Sequence, residues 1–149
     1  MCQSLSFSQE IYCLRNFLDH YMAKELKDLN ISYTQALILC KLAEMPDKTA
    51  TQKELKEFLQ VTSASISTVI KRMIKNGLLS QKADVKDNRV NLISLTPKAV
   101  DLVSSVSACL KTADEKIGSN FSAAEKECLS SLLHTMQNKL SDKSDSSNW

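Results

Sequence analysis

The sequence has few of the residues that break secondary structure: two glycines and two prolines in 149 residues. Long helices with short connections are therefore expected, because turns and helix ends rely on these residues. No apolar run approaches the roughly 18 residues that a membrane-spanning helix needs. The first ten residues, MCQSLSFSQE, also lack the basic start and apolar stretch of a signal peptide. We therefore predict a cytoplasmic protein that does not bind a membrane.

Cysteine and histidine are present, but without the spacing of metal sites or catalytic centres. The five cysteines form no CxxC pair or ligand-like cluster; they are Cys2, Cys13, Cys40, Cys109 and Cys128. Such an odd, scattered set indicates reduced thiols, not a disulfide framework or a zinc site. His20 and His134 are the only histidines, and the motifs GxSxG, HExxH, GxGxxG and the P-loop are absent. We predict no catalytic site, no metal and no cofactor.

Acidic residues are missing from one long stretch. None occurs between Phe58 and Ala83, whereas four basic residues lie in that stretch. The overall net charge of +2 conceals this asymmetry. Residues 51–98 hold nine Lys/Arg against four Asp/Glu, net +5, whereas residues 1–50 and 99–149 have net charges of −1 and −2. Duplex DNA carries a phosphate charge about every 1.7 Å of its axis. The basic centre therefore predicts a face that binds nucleic acid.

Helix starts are marked by a recurring capping box, S/T-x-x-E/Q, in which two side chains bond two backbone N–H groups. The box occurs at Ser6–Gln9, Ser32–Gln35, Thr51–Glu54 and Ser122–Glu125. Thr62 and the pair Thr96-Pro97 supply two further starts. The first five of the six predicted helices end near Leu29, Glu44, Leu59, Asn76 and Gly118, and the sixth reaches Leu140.

Two short strands are predicted after the fourth helix, Leu79 to Ala83 and Val90 to Leu95, joined by the polar turn 84–88. From Thr51 onward the order is helix, turn, helix, strand, turn, strand, which is that of a winged helix-turn-helix. The predicted fold class is mainly α, with six helices and a wing of two or three strands. In this fold the second helix of the helix-turn-helix enters the DNA major groove.

The fourth helix is the candidate recognition helix. Its apolar residues recur at three- and four-residue spacing, which leaves hydroxyl and basic side chains on the other faces. The candidate DNA-binding residues are Thr62, Ser63, Ser65, Ser67, Thr68, Lys71 and Arg72. Small residues near a helix start let the backbone approach bases, and the positive end of the helix dipole favours phosphate. An ordinary solvated face is the alternative, which the basic last turn and the following hairpin disfavour.

The hairpin supplies a second set of candidates, Lys82, Lys86, Asp87 and Arg89. An arginine at the tip of a wing is placed to enter the minor groove, where narrow A/T-rich segments have a strong negative potential. Asp87 stands two residues before Arg89 and is expected to hold the guanidinium by a charge-assisted bond. The alternative is a surface ion pair of little consequence.

Three helices are surplus to a helix-turn-helix: the first, the fifth and the sixth. Each has an apolar stripe that must be buried against another protein surface. The most continuous stripe belongs to the sixth helix and consists of Leu129, Leu132, Leu133 and Met136. We expect these stripes to form the interface of a homodimer. The alternative is that they extend the core of a single chain.

From about residue 31 to residue 99 the chain resembles the MarR (multiple antibiotic resistance regulator) family of winged-helix transcription factors. The shared pattern is QKELKEFLQVTSASISTVIKRMIKNGLL, then DNR, then LISLTPKA. The resemblance implies a homodimer on a palindromic operator, whose binding a small ligand or thiol oxidation relieves. It also implies that residues 62–72 match the recognition helix and that Asp87 and Arg89 match the wing Asp and Arg. Two positions depart from the pattern: Gln81 replaces a common basic residue, and Ala99 replaces a glycine.

Some branches of the family sense peroxide through one cysteine of the first helix, hydrogen-bonded by tyrosines of the partner subunit. Cys13 and Tyr33 are the candidates here, because ISYTQ resembles the tyrosine-bearing segment of that branch. Cys13, however, lies one to two helical turns closer to that segment than the sensing cysteine does. The alternative is that Cys13, Cys40, Cys109 and Cys128 are small buried apolar residues, as free cysteines usually are.

The sequence thus predicts a single domain with a DNA-binding lobe at residues 31–99, a helical dimerisation lobe at residues 6–30 and 98–141, and a disordered tail at residues 142–149. The predicted function is that of a repressor, a homodimer on a pseudo-palindromic operator in double-stranded DNA. A small aromatic or lipophilic effector, held between the lobes, is expected to release it. Two alternatives stay open: a thiol-based redox-sensing regulator of the same fold, and a winged-helix module that binds protein and not DNA.

Overall fold

The computed structural model describes residues 5–141, so Cys2 and the tail predicted to be disordered lie outside the described residues. Within that range the elements are α1 (Phe7–Glu25), α2 (Tyr33–Glu44), β1 (Thr49–Thr51), α3 (Gln52–Leu59), α4 (Ser63–Lys75), β2 (Leu79–Ala83), β3 (Asn91–Leu95), α5 (Pro97–Gly118) and α6 (Ala123–Ser141). A 3₁₀ turn, Lys27–Leu29, follows α1. The predicted fold class is confirmed: the chain is mainly α, with six helices and a three-stranded wing sheet.

The predicted capping boxes begin four of these helices. At α3, the Thr51 N–H donates to Glu54 Oε2 at 2.7 Å, and the Glu54 N–H donates to Thr51 Oγ1 at 3.2 Å. The same reciprocal bonds occur at α1, α2 and α6, in Ser6–Gln9, Ser32–Gln35 and Ser122–Glu125. Each box gives partners to N–H groups that a helix start otherwise leaves without any. Local sequence therefore decides where these helices begin.

Helix α1 ends at Glu25, one turn before the end predicted at Leu29. The chain tightens into the 3₁₀ turn, and Asn30 then adopts a left-handed conformation with φ of 53°. Asparagine tolerates this conformation better than most residues and often follows a helix end. The apolar spacing continues through Leu26 and Leu29, which is why the pattern does not reveal the break.

The wing sheet has the strand order β1-β3-β2, and both pairs are antiparallel. The sequence pattern predicts only β2 and β3, because β1 has three residues and takes its strand character from pairing with β3. β3 begins at Asn91, one residue later than predicted. The turn residues bond both polar backbone groups of Val90: its N–H donates to the Asp87 carbonyl at 2.9 Å, and its carbonyl accepts from the Asp84 N–H at 2.8 Å.

One apolar cluster holds the winged helix together. Its buried members include Ile38, Leu39 and Leu42 of α2, Leu55 of α3, Ile66, Ile70 and Met73 of α4, Leu79 and Ile93 of the sheet, and Ala99 and Val106 of α5. Full burial of a large apolar side chain contributes about 1.5–3 kcal/mol. The inward face of α4 is thereby fixed, and with it the face that points to solvent.

The chain divides into two compact units within α5: one runs through Leu110, and the other begins at Lys111. The first unit contains the winged helix, and the second contains the end of α5 and all of α6. No residue of α6 is buried, and its apolar stripe includes Leu132, 57% exposed, and Leu140, 71% exposed. Among the helices of residues 5–141, none has the length and apolar character that crossing a membrane requires.

Candidate nucleic-acid interface

The start of α4 is fixed by Thr62. Its Oγ1 accepts the Ser65 N–H at 3.2 Å, which makes Thr62 the N-cap. Thr62 therefore precedes the candidate recognition helix, which begins at Ser63. On the inner side, Ile66, Ile70 and Met73 are buried at the three- and four-residue spacing that the sequence shows. Cap and stripe together determine which side chains α4 presents outward.

The outer face of α4 carries the predicted DNA-binding side chains. The exposed candidates are Ser63, Ser65, Thr68, Lys71 and Arg72, together with the N-cap Thr62. Lys75, which is not among these candidates, is exposed one turn further along. Ser67 is half-buried and lies at the edge of this face. The helix contains no acidic residue, so no carboxylate within it offsets the charge of its three cations.

Two hydroxyl groups on this face have defined hydrogen-bond directions. Thr68 Oγ1 donates its proton to the Ala64 carbonyl at 3.0 Å, so it offers only lone pairs to another molecule. Ser65 Oγ accepts the Thr62 hydroxyl proton at 3.0 Å, so its own proton is available for an outside acceptor. Residues three apart are neighbours on a helix surface. Ser65 and Thr68 thus present a donor and an acceptor side by side.

Helix α3 adds two lysines that the sequence reasoning did not single out. Lys53 and Lys56, together with Gln52 and Ser63, line a recess of about 200 Å³. Both lysines therefore line the same recess as Ser63, the first residue of α4, where the positive end of the helix dipole lies. The Lys53 ammonium also lies 3.9 Å from Glu57 Oε1. The order of elements could have identified them, because the first helix of a helix-turn-helix crosses the DNA backbone.

Two aspartates shape the wing turn through the backbone. Asp84 Oδ1 accepts the Lys86 N–H at 3.1 Å, and Asp87 Oδ1 accepts the Arg89 N–H at 2.9 Å. The expectation that Asp87 holds the guanidinium of Arg89 is wrong. Its bond goes to the Arg89 backbone N–H. Ion pairs occur elsewhere, between Arg15 and Asp19 and between Lys53 and Glu57. Both aspartates form Asx turns, which fix backbone shape.

The cations of the wing point to solvent. Lys82 lies on β2, and Lys86 and Arg89 lie at the turn; all three are exposed. Gln81 stands where the family pattern commonly has a basic residue, and it is exposed beside Lys82. The wing and the outer face of α4 thus form two cationic surfaces of one compact unit.

A cavity of about 400 Å³ lies where the segment after α1 meets the end of α4 and the start of α5. It is lined by Leu29, Asn30, Ile31, Asn76, Leu78, Lys98 and Leu102. Its wall is about as polar as it is apolar, with Asn30, Asn76 and Lys98 beside four apolar residues, whereas most small-molecule sites have a predominantly apolar wall. The Lys98 ammonium donates to the Asn76 carbonyl at 3.2 Å.

The two redox candidates lie on successive helices, α1 and α2. Cys13 is half-buried in α1, and Tyr33 packs against the apolar cluster at the start of α2. Cys40 and Cys109 are also half-buried, and the Cys109 thiol donates to the Glu25 carbonyl at 3.2 Å. Cys128 is exposed in the single chain, so the alternative that all four cysteines are buried apolar residues does not hold for it there.

The predicted dimerisation residues lie on one face of α6. Leu129, Leu132 and Leu133 are exposed and Met136 is half-buried in the single chain. In the other unit, α1 separately exposes large apolar side chains, among them Phe7, Leu14 and Phe17. Exposed apolar side chains clustered in this way mark interaction sites more often than ordinary surface.

The family model of the MarR family matches residues 31–90, from just before α2 to the end of the wing turn. The organic hydroperoxide resistance transcriptional regulator of Bacillus subtilis (strain 168) is 35% identical over 121 residues, which cover 76% of this chain and 78% of that protein. The chain belongs to the MarR family. Members of this family are transcriptional regulators, and the prediction that the chain is not an enzyme is confirmed.

Two solved structures of similar fold align over nearly the whole chain. The S. aureus MepR–DNA complex has a TM-score of 0.85 at 20% identity and covers 92% of this chain and 99% of that one. Bordetella bronchiseptica BpsR, whose DNA binding is regulated by 6-hydroxynicotinic acid, has a TM-score of 0.81 at 19% identity and covers 92% and 96%. At these identities the likeness concerns the fold.

Proposed function

We propose that this MarR-family regulator is a repressor that binds a pseudo-palindromic operator in double-stranded DNA as a homodimer in the cytoplasm. The outer face of α4 is the observation that carries the proposal: exposed hydroxyl groups near the helix start are followed by Lys71 and Arg72, with no acidic residue in the helix. MepR, which has the same fold, is crystallised in a complex with DNA.

In this proposal α4 enters the major groove and its two oriented hydroxyls contact base edges. Ser65 has a proton to donate to an acceptor such as guanine O6 or N7, and Thr68 has lone pairs for the amino group of adenine or cytosine. Lys71 and Arg72, one to two turns further along α4, bind phosphates or guanine.

The wing and α3 hold the duplex on either side of α4. Arg89 enters the minor groove, and Lys82 and Lys86 bind phosphates beside it. Lys53 and Lys56 bind the backbone near the start of α4, where the helix dipole also attracts phosphate. Phosphate contacts position the protein on the duplex, and the base contacts of α4 give sequence preference.

The homodimer rests on the exposed apolar side chains of α6 and α1. An obligate interface of this kind buries on the order of 2,000 Å² or more, largely apolar. A two-fold dimer that binds one face of a duplex must hold its two α4 helices about one helical turn, near 34 Å, apart.

Release by a small aromatic or lipophilic effector completes the proposal. The cavity beside Lys98 is large enough for such a molecule; Leu29, Leu78 and Leu102 would contact its apolar part, and the polar lining residues would contact its polar groups. The regulation of BpsR by 6-hydroxynicotinic acid is a precedent within the same fold. An effector that changes the spacing of the two α4 helices by a few ångströms would oppose binding without touching a base contact.

Selection from a randomised duplex library, followed by footprinting, tests this function. We expect an inverted repeat whose half-site centres are about 10–10.5 base pairs apart. Recovery of no common sequence, or of a single half-site at every protein concentration, would contradict the proposal of a dimer on a palindrome.

Thiol-based redox sensing is the second candidate function. The observation that favours it is the 35% identity to a regulator named for organic hydroperoxide resistance. Cys13 of α1 is the candidate sensor. Cumene hydroperoxide should then lower the duplex affinity of the wild type and leave Cys13→Ser unaffected, with Cys128→Ser, the exposed cysteine of α6, as the control. An equal response of the wild type and Cys13→Ser would exclude this role.

A further inference from the structure

Helix α4 ends in a Schellman motif that defines its last turn. Gly77 has φ of 71°, its N–H donates to the Ile74 carbonyl at 2.9 Å, and the Leu78 N–H donates to the Met73 carbonyl at 2.9 Å. The motif uses the N–H groups of Gly77 and Leu78. The carbonyl groups of residues 76–78 take no part in it.

Those three carbonyls are bonded by the first residues of α5 and the residue before it. Thr96 Oγ1 donates to the Gly77 carbonyl at 2.6 Å and lies 3.2 Å from the Leu78 carbonyl oxygen. The Thr96 N–H donates to the same Leu78 carbonyl at 3.1 Å. Lys98 Nζ donates to the Asn76 carbonyl at 3.2 Å. These hydrogen bonds, which include those of the Thr96 and Lys98 side chains, connect the end of α4 to the start of α5. We call this set of bonds the joint.

One hydroxyl group serves both helices. Thr96 Oγ1 donates to Gly77 and also accepts the Ala99 N–H at 3.3 Å, which caps the start of α5. A hydroxyl has one proton and two lone pairs, so both bonds form at once. A rotation of α4 against α5 would break the Gly77 bond or pull the cap away from α5.

We propose that Thr96, assisted by Lys98, is a positioning residue that sets the angle between the recognition helix and α5, and through it the half-site spacing that the dimer accepts. This inference rests on the proposed function, since spacing has meaning only for a dimer on two half-sites. Helix α5 is continuous over 22 residues, about 33 Å. A change of about 5° at its first turn displaces its far end by about 3 Å.

The test compares Thr96→Val, which removes the hydroxyl at nearly constant volume, with Thr96→Ser, which keeps it. The probes are duplexes selected by the wild type from random DNA, made with the selected spacing and with one base pair more or fewer. Thr96→Val should bind the duplex of selected spacing about tenfold more weakly than the wild type does, and it should discriminate less among the three duplexes. The affinity of Thr96→Ser should stay within about threefold of the wild-type value. A duplex with a single half-site should bind all three proteins equally, because the joint makes no DNA contact.

Two results would overturn the proposal. One is that Thr96→Val keeps the spacing preference of the wild type. The other is that Thr96→Ser loses as much affinity and spacing preference as Thr96→Val does, which would assign the effect to side-chain shape and not to the hydroxyl. Should Thr96→Val not fold, as judged by circular dichroism, Lys98→Met removes the second tether and leaves the α5 cap intact. It should weaken the spacing preference about threefold, and an unchanged preference would contradict the role of the joint.

Amide hydrogen exchange separates failure of the joint from failure of the proposed function. If the wild type binds no duplex, the proposed function falls, but the joint still predicts a difference between the variants. The Leu78 amide should exchange at least about tenfold faster in Thr96→Val than in Thr96→Ser, while the Ile70 amide in the middle of α4 is unchanged. Equal protection of Leu78 in both variants would refute the joint itself.

Discussion

At the wing turn, two residues have separate tasks: Asp87 shapes the backbone and Arg89 supplies the charge. The Asp87 carboxylate accepts the Arg89 N–H, and the guanidinium is left exposed. An arginine that is not held by a carboxylate keeps its full charge for a phosphate or a groove. This arrangement differs from the expected ion pair, and it makes a prediction of its own.

Asp87→Asn should bind duplex DNA with at least the wild-type affinity, because an asparagine Oδ1 makes the same Asx turn. Asp87→Ala should bind about threefold to tenfold more weakly than Asp87→Asn, since the turn loses its bond while the charge change is the same. Fluorescence anisotropy at one salt concentration measures both. Equal affinities of the two variants would mean that the Asx turn does not position Arg89.

Glu54 makes the stability of α3 depend on pH. Its pKa is lowered, first by the hydrogen bond that the carboxylate accepts from the Thr51 N–H and then by the bond from the Thr51 hydroxyl. The folded state therefore binds this proton less tightly than the unfolded state, whose glutamate pKa is about 4.3. The stabilising contribution is complete above that value and is lost as the pH falls through the lower, folded value.

Glu54→Gln should accordingly lose less unfolding free energy between pH 6 and pH 3 than the wild type, as measured by urea denaturation. The variant should fold, because Gln9 and Gln35 occupy the same position in the boxes of α1 and α2. An identical pH dependence of the two proteins would show that the box at α3 contributes no pH-dependent stability.

At the scale of the element, local chemistry explains which parts of the fold the sequence could predict. The starts of α1, α2, α3 and α6 depend on side chains three residues apart, and the stop after α4 depends on Gly77. These signals are complete within a few residues. Strand β1 lacks such a signal, because Thr49 pairs with Ser94, far along the chain.

The candidate site also has features that local sequence predicts and features that depend on contacts between distant residues. The outer face of α4 could be predicted because its inner face has a helical period, as Ile66, Ile70 and Met73 show. The directions of the Ser65 and Thr68 hydroxyls, and the recess at Lys53 and Lys56, depend on how side chains meet in space, which spacing alone does not reveal.

Substitutions on α4 should separate base contacts from phosphate contacts. Thr68→Val should change the preferred base at one position of each half-site, at a cost of about 1–3 kcal/mol for the original sequence, because the acceptor is lost. Lys71→Gln should weaken binding to all sequences alike if Lys71 contacts phosphate. Affinities for duplexes with single base-pair changes provide the measurement. A uniform loss in Thr68→Val would remove this residue from base recognition.

At the scale of the whole molecule, the exposed leucines of α6 require a partner surface. Leu133→Glu should give a chain that sediments as a monomer and no longer binds a duplex with two half-sites, because a charge replaces apolar area at the proposed interface. Ser131→Glu introduces the same charge on another face of α6 and should remain a dimer. A wild-type chain that is a stable, folded monomer at micromolar concentration would contradict the dimer and the two-half-site operator with it.

The salt dependence of duplex binding tests the central claim, DNA binding by a basic surface, most directly. Residues 51–98 carry a net charge of +5, and a dimer presents this charge twice. Six or more phosphate contacts should lower the affinity roughly 10³-fold or more between 50 and 200 mM salt. A flat salt dependence on duplex DNA would contradict the account and favour a winged-helix module that binds protein.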